Sequence, residues 1–462
     1  MSTMQHQHQH QHTRTLGMMA GAAILYAAFA ACTTTKASDS SAVKCTPGNY
    51  VFCRCEDRSE GTKLCHPDGV SFDDCKCDGT QPPTTPTTPD DVDSGIPSTP
   101  LEPVDAGPVT GPTIDAKCAG KLGLVAGAAT DNATYVATYA GAGVFTTSKS
   151  ASSPGVRGPI TILPSGTSLV ATYLARLGYL GWTKLSASAW SAPQSLGDGT
   201  TDGAATSMTV LGGALRVFYL GQDARFHMGS YGTSGWDIAF TAGPVAEASG
   251  DAGPPTPGKT APVVATVGSA ITLAFAGNDG SLAREVFSSG TWSTFTKFPN
   301  AAAYGSAPAI AAIDPGGTRD ELMVYPGRDL LLHFAARDAA NKVWSAASLF
   351  DTAASSNEIA LQGLPGGKVL LLYRASNGQG YYATWSASGG FAPPAELVAG
   401  KNPELASVPS VTRGQCGSDA TVAYVQKDGL VKILRLTAGA MSGPFDVGGI
   451  TNVTFAGVGE LP

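Results

Sequence analysis

From about Lys117 to the C-terminus, roughly 345 residues, the chain repeats itself, and a repeat of this period admits few folds. The clearest unit opens with an Ala/Pro-led apolar strand and a Gly turn. A second, strongly apolar strand ends in an aromatic residue, and a Gly/Asp turn leads to a third strand and then Trp-Ser. One copy runs Ser306-Ala307-Pro308-Ala309-Ile310, Leu322-Met323-Val324-Tyr325, Leu331-Leu332-His333-Phe334 and Val343-Trp344-Ser345. The copy before it runs Ala261-Pro262-Val263-Val264, Ile271 to Phe275, Ser281 to Arg284 and Thr291-Trp292-Ser293. Aromatic anchors recur at Trp190, Trp236, Trp292, Trp344, Phe391 and Phe445, spaced 46, 56, 52, 47 and 54 residues apart. A degenerate first unit, Tyr135 to Pro154, lacks its anchor.

Short strands, even turns and a period of 40–55 residues predict an all-β chain, a seven-bladed β-propeller of four-stranded blades over residues 114–462. Six blades remain open if the weak first unit is something else. A single twisted blade cannot bury both faces, so blades must pack in a ring, with the tryptophans wedged between them. The closing segment, Asn452 to Val458, is expected to complete a blade begun at the N-terminal end, and residues 241–260 read as an inter-blade insertion. Alanine is abundant, but no 3.6-residue periodicity sustains a helix.

The segments before the repeat read as an address and a spacer. Residues 1–31 carry Arg14 and an apolar run from Leu16 to Ala31, too short to span a bilayer and suited to a signal peptide. The run ends Phe29-Ala30-Ala31-Cys32, which resembles a bacterial lipobox, with Phe29 where that family usually carries an aliphatic residue. The resemblance implies lipidation of Cys32, a tether over 32–44, and a lipid-anchored protein of the bacterial cell envelope, held at the outer membrane on its surface or periplasmic side. Four of the seven histidines, His6, His8, His10 and His12, precede the cleavage point and leave with the signal.

Eight cysteines remain, an even number suited to an oxidising compartment. Cys45, Cys53, Cys55, Cys65, Cys75 and Cys77 lie within a module at 45–78, too small to fold on its apolar surface alone. Three disulfides are expected there, with 15 pairings open. The C-x-C spacings do not suit zinc. Cys118 and Cys416 stand 298 residues apart, and a closed ring would bring them together as a fourth disulfide. Residues 79–113 hold nine prolines, eight threonines, five acidic residues and no Lys or Arg, an extended linker reaching ~3.1 Å per residue.

Composition narrows the function. A net charge of −7 argues against a nucleic-acid binder, which would normally carry a basic face. Sialidase-type Asp-boxes are missing from the turns before Trp236 and Trp292, and Asp320-Glu321 reads as a solvated turn rather than a paired-carboxylate site. After processing only His66, His227 and His333 remain, the last two on third strands of separate units, which makes a metal centre or triad an unsuitable reading. An enzyme is not expected, and no cofactor or metal is implied.

The strand, turn, strand, Trp pattern resembles the fucose-binding propeller lectins. That resemblance implies an arginine on the second strand and a glutamate on the third gripping sugar hydroxyls beside an aromatic ring. Leu215-Arg216-Val217-Phe218-Tyr219 carries the arginine, but Phe226-His227-Met228 lacks the glutamate. The next unit has Glu285 one place out of register and Thr272 at the arginine position. Other candidate ligand residues are Arg284, Trp182, Arg374, Tyr381, Tyr382 and Trp385. The expected partner is a glycan, with an envelope protein on a ligand-free scaffold or a glycosidase as the alternatives, and a monomer is expected.

Overall fold

A computed structural model describes residues 114–462 apart from 128–132, 151–154, 176–177, 200–204, 222–224, 233–234, 238–260, 278–279, 294–295, 303–306 and 315, together with parts of 50–74. The chain divides into two compact units, Met1–Val104 and Asp105–Pro462. In the first, Tyr50–Arg54 pairs antiparallel with Glu60–Leu64, placing Cys53 opposite Gly61. Cys32, Cys45, Cys55, Cys65, Cys75 and Cys77 lie outside the described residues, as does the linker.

The second unit is a seven-bladed propeller of four-stranded antiparallel blades, which removes the six-bladed alternative. Blade 2 comprises Val156–Ser165, Ser168–Ala175, Tyr179–Ser186 and Gln194–Gly199, with Ala189–Trp190 also pairing its third strand. Blade 3 comprises Ser207–Leu211, Ala214–Leu220, Phe226–Gly232 and Gly235–Asp237. Blade 4 comprises Val263–Val267, Ala270–Ala276, Ser281–Ser288 and Thr291–Trp292, with Thr296–Ala302 added to its third strand. Blades 5 and 6 share the long strand Ser348–Leu364, which is the outer strand of one and the inner strand of the other. Ala309–Ala312, Arg319–Pro326 and Leu331–Asp338 complete blade 5, and Lys368–Ala375, Gly380–Ser386 and Gly390–Phe391 complete blade 6. Blade 7 is Ser410–Arg413, Ala420–Val425, Val431–Thr437 and Ala440–Asp446. Blade 1 closes the ring: Phe455–Glu460, from the C-terminus, pairs with Leu122–Gly127, followed by Thr134–Gly141 and Val144–Ser150.

The repeated residues each have a physical task. The aromatic that ends the second strand of blades 2–7, at Tyr173, Tyr219, Phe275, Tyr325, Tyr373 and Tyr424, is at most 2% exposed and fills the core. The Trp that follows packs against a cleft core: Trp190 between blades 1 and 2, Trp292 between 3 and 4, Trp344 between 4 and 5. The serine after it replaces a lost ladder acceptor. Its Oγ accepts the third-strand amide in Lys184 N to Ser191 (3.1 Å), Val286 N to Ser293 (3.0 Å) and Ala336 N to Ser345 (3.2 Å). The Ala-Pro leaders fall at the start of inner strands. Pro262 and Pro308 there, and Pro409 after Val408, line the central channel, where an edge strand needs no outward N–H and proline blocks further pairing.

Close packing also explains one glycine. Gly181 pairs with Tyr173, and a Cβ at that position would lie 2.3 Å from the tyrosine ring. Gly181→Ala is therefore expected to lower stability by about 1–3 kcal/mol through overpacking, measured by chemical denaturation.

Candidate functional site

Alternation along a strand decides which cleft each side chain enters. In blade 3, Phe218 and Leu220 pack with Leu273, Phe275, Ala283 and Phe287 of blade 4. Arg216, two residues before Phe218, shares their face and points toward blade 4. Its row across the sheet is Thr209, Arg216, Ser230 and Asp237, each paired with the next. The opposing row of blade 4 is Thr266, Ile271, Phe287 and Trp292. Thr209 and Thr266 hydroxyls meet at 2.6 Å and seal the inner end of the cleft. Glu285 lies between Ala283 and Phe287 and enters the same cleft.

Several polar groups in this cleft lack partners. Arg216 Nε and the Trp292 indole N–H are buried without a hydrogen bond. Glu285 is 5% exposed and has neither an ion pair nor a hydrogen bond among the described residues. Burial pushes its carboxyl up to about 7. Asp237 is exposed at the rim and, unlike these groups, has an interaction of its own. Trp292 is half-buried, its ring 5.2 Å from Phe287 and 6.1 Å, edge-on, from Phe218. The cleft thus sets a polar wall against an aromatic one. An unpaired buried donor or acceptor costs roughly 1–3 kcal/mol, which a ligand with matching hydroxyls would recover.

The other candidate residues go elsewhere. Arg284 neighbours Glu285 in sequence but points into the cleft between blades 4 and 5, over the rings of Phe298 and Trp344 at 6.0 Å each. Desolvation lowers its pKa, and the nearby Glu321 opposes that shift. Trp182 is packed edge-on to Tyr231 at 5.8 Å between blades 2 and 3. Arg374 donates from Nε to the Leu405 carbonyl at 3.0 Å and holds a loop. Tyr381 stacks on Tyr373 and donates to Gln379 Oε1 at 3.1 Å. Tyr382 packs against the core between blades 6 and 7. Trp385, 4% exposed, is sealed in the core between blades 5 and 6 and offers no face to a ligand. Of the eight, Arg216 and Glu285 are the two brought to the cleft between blades 3 and 4.

Asp320-Glu321 is not a solvated turn. Both are buried in a second strand, where a register shift between Arg319 and Glu321 turns them inward. Arg337 Nε lies 2.9 Å from Asp320 Oδ1 and 3.0 Å from Glu321 Oε2, and Lys342 lies 2.6 Å from Asp320 Oδ2. Burial raises Asp320, but the bonds from Arg337 and Lys342 outweigh it and hold the carboxyl below its ordinary range. Glu321 is pushed up to about 7 by burial, against the pull of Arg337. His227 and His333 stack on Tyr219 and Tyr325 at 5.2 and 5.5 Å, on different blades. Among the described residues no group of three His, Cys, Asp or Glu could hold a metal ion.

Cys118 and Cys416 form a disulfide, with Cα atoms 5.4 Å apart. Cys416 lies inside blade 7, between its first and second strands.

Fold and cleft together define a closed seven-bladed propeller whose blades 3 and 4 face each other across an amphipathic cleft. No protein-family model matches the sequence, and no curated protein does. Solved structures match in fold. BP39L lectin from Burkholderia pseudomallei is 16% identical, with a TM-score of 0.50 over 71% of this chain and 99% of that one. The fucose-specific lectin from Aleuria aurantia is 13% identical, with a TM-score of 0.44 over 63% and 95%. AofleA from Arthrobotrys oligospora is 16% identical, with a TM-score of 0.41 over 61% and 88%.

Proposed function

We propose that the protein is a carbohydrate-binding propeller whose ligand enters the slot between blades 3 and 4. The observation that carries this reading is the facing of the two rows. Arg216, Ser230, Asp237 and Glu285 offer donors and acceptors for hydroxyls, while Phe287 and Trp292 offer an apolar surface for the C–H face of a sugar ring. The similarity in fold to BP39L, itself a lectin, agrees with this direction. A glycan array of the full chain, oxidised, is expected to show saturable binding to one glycan class, lost in Arg216→Ala. A blank array at high micromolar protein, with retention of an envelope protein in a pull-down, would replace the sugar reading by a protein-binding scaffold.

The proposal places this domain outside the cell membrane, held by lipid on Cys32 behind a Pro/Thr spacer. Several acyl chains hold a protein durably where one does so only marginally. Cys32→Ser is expected to move the protein from the membrane fraction to the soluble fraction. Unchanged membrane retention would remove the anchor from the account.

A further inference from the structure

We infer that the ligand is an acidic polysaccharide laid across three consecutive clefts. Carboxylate-bearing sugars sit between blades 2 and 3 and between blades 4 and 5, on either side of the slot between blades 3 and 4. This deepens the sugar reading and rests on it.

The first observation is a row of tryptophans at one repeat position. Trp190, Trp236, Trp292 and Trp344 each pair with the third strand of blades 2 to 5 in turn. Trp190 is tied down, its Nε1 donating to the Ala137 carbonyl at 3.1 Å. The next three rings are half-buried, and their indole N–H groups are buried without an acceptor in the protein. One orphaned donor carries little; three at one position of consecutive blades form an arc that lacks its acceptors.

Each of these indoles shares its cleft with a cation. Between blades 2 and 3, Lys184 stands over the Tyr231 ring at 5.8 Å, and Tyr231 is 5.1 Å from Trp236. Between blades 3 and 4 the cation is Arg216. Between blades 4 and 5, Arg284 lies 6.0 Å from the rings of both Phe298 and Trp344. All three cationic side chains are half-buried, and among the described residues none makes a hydrogen bond or an ion pair. A ring face engages the positive charge but leaves the N–H donors unpaired. Donors and positive charge together call for an anionic acceptor, and a planar carboxylate fits the guanidinium fork.

The carboxylates already present decide where the ligand's charge goes. Arg216 has Glu285 in its cleft and Asp237 at the rim, which suits a neutral sugar there. The first three strands of blades 2 and 3 contain no Asp or Glu to set against Lys184. Between blades 4 and 5, Asp320 and Glu321 form ion pairs with Arg337 at 2.9 and 3.0 Å, and Glu321 draws on Arg284 without bonding it. Lys184 and Arg284 are left for carboxylates, and Arg216 for hydroxyls. Packed sheets stand ~10 Å apart, so the outer two clefts lie roughly 20 Å from each other, a short stretch of sugar chain.

Two clefts outside the arc show the contrast. Between blades 7 and 1, Arg435 donates to Glu460 Oε1 at 2.9 Å. Between blades 6 and 7 the Tyr424 hydroxyl is also buried without a partner, but Lys432, paired with it across the sheet, is bound to Asp446.

The test is titration calorimetry of the full chain, oxidised, with oligosaccharides of hyaluronan, polygalacturonate and alginate. Each is set beside its carboxyl-reduced form, which keeps the chain and replaces every carboxylate by a primary alcohol. One acidic series is expected to bind about tenfold more tightly than its reduced form. Lys184→Gln with Arg284→Gln should bring the acidic chain down to the affinity of the reduced one. At saturation the indole N–H signals of Trp236, Trp292 and Trp344 should all move with the acidic chain. Equal binding of both forms, or movement of Trp292 alone, would overturn this inference and leave the sugar reading standing. So would sodium acetate that moves Trp236 and Trp344 at the same carboxylate concentration, which marks a site for simple anions. Binding of neither form, together with a blank glycan array, would overturn the sugar reading as well. The reduced oligosaccharides alter only the ligand, so the comparison stands even where a charge-removing variant loses its fold.

Discussion

Serine in place of both Cys118 and Cys416 is expected to lower unfolding free energy by about 2–5 kcal/mol, and Glu460→Ala by about 3–5 kcal/mol. Both effects come from one buried cluster at the ring closure. The N-terminal three strands of blade 1 are joined to the rest of the ring by the ladder between Leu122–Gly127 and Phe455–Glu460 and by the disulfide to blade 7. That disulfide closes a loop spanning 298 residues, so its loss frees a long chain in the unfolded state. Glu460, the last residue of the closing strand, is 1% exposed. Its Oε2 accepts from the amides of Gln415 (2.7 Å) and Cys416 (3.2 Å), and its Oε1 from Thr421 Oγ1 and Arg435 Nη1. Removing the carboxylate strands Arg435 beside the sulfurs, 3.5 Å from Cys118 Sγ, with its pKa already lowered by desolvation. The two changes share partners, so the triple variant should lose less than their sum. Denaturant unfolding of each variant measures this. Wild-type stability in Glu460→Ala would remove the cluster from the account of closure.

Stability is also expected to fall as pH rises from about 5 to about 8. Glu285 and Glu321 both titrate near 7 in the folded chain, against an ordinary value of 4.5. Between these values the native state keeps a proton that the unfolded chain releases, so unfolding becomes easier with rising pH. The contribution is fully present below 4.5 and lost above 7. Allowing for solvent near the Glu285 oxygens, the loss is on the order of 2 kcal/mol per carboxyl. At the acid end, Asp320, Asp329 and Asp338 act oppositely, since their lowered values withdraw stability only as pH drops below the ordinary carboxylate range. A melting temperature highest near pH 5 should result. Glu285→Gln with Glu321→Gln should flatten the fall toward pH 8. An equal slope in that double variant would assign the titration to other groups.

Much of the ring was legible because its repeat residues do separate, local work. Trp fills a cleft, the serine after it takes a third-strand amide, and proline guards an inner edge, so each leaves a fixed mark at a fixed interval. Closure by the C-terminal segment was legible in outline: the segment expected at Asn452 to Val458 overlaps the closing strand Phe455–Glu460, which runs two residues further. The slot was harder to read. Arg284 and Glu285 are adjacent in sequence, but strand alternation sends them to different clefts. Ser230 and Thr209 join Arg216 only once the hairpin registers are known. Trp292 read as a wedge, which it is, and its second role depends on what stands opposite. Asp237 did leave a signal, as the aspartate that breaks the Trp-Ser pattern of the neighbouring units. Asp320-Glu321 misled because a register shift buries residues that look like a turn.

The sugar slot is tested most directly through the six tryptophan indole N–H signals in a nitrogen–proton correlation spectrum, assigned by single Trp→Phe variants. Titrating in the glycan that binds, the account predicts the largest change at Trp292, whose indole N–H is buried without a partner in the slot. Trp190, bonded to the Ala137 carbonyl, and Trp385, sealed in the core, should stay in place. A saturating glycan that leaves Trp292 unmoved while Trp182 or Trp344 shifts would place the ligand in another cleft and contradict the account.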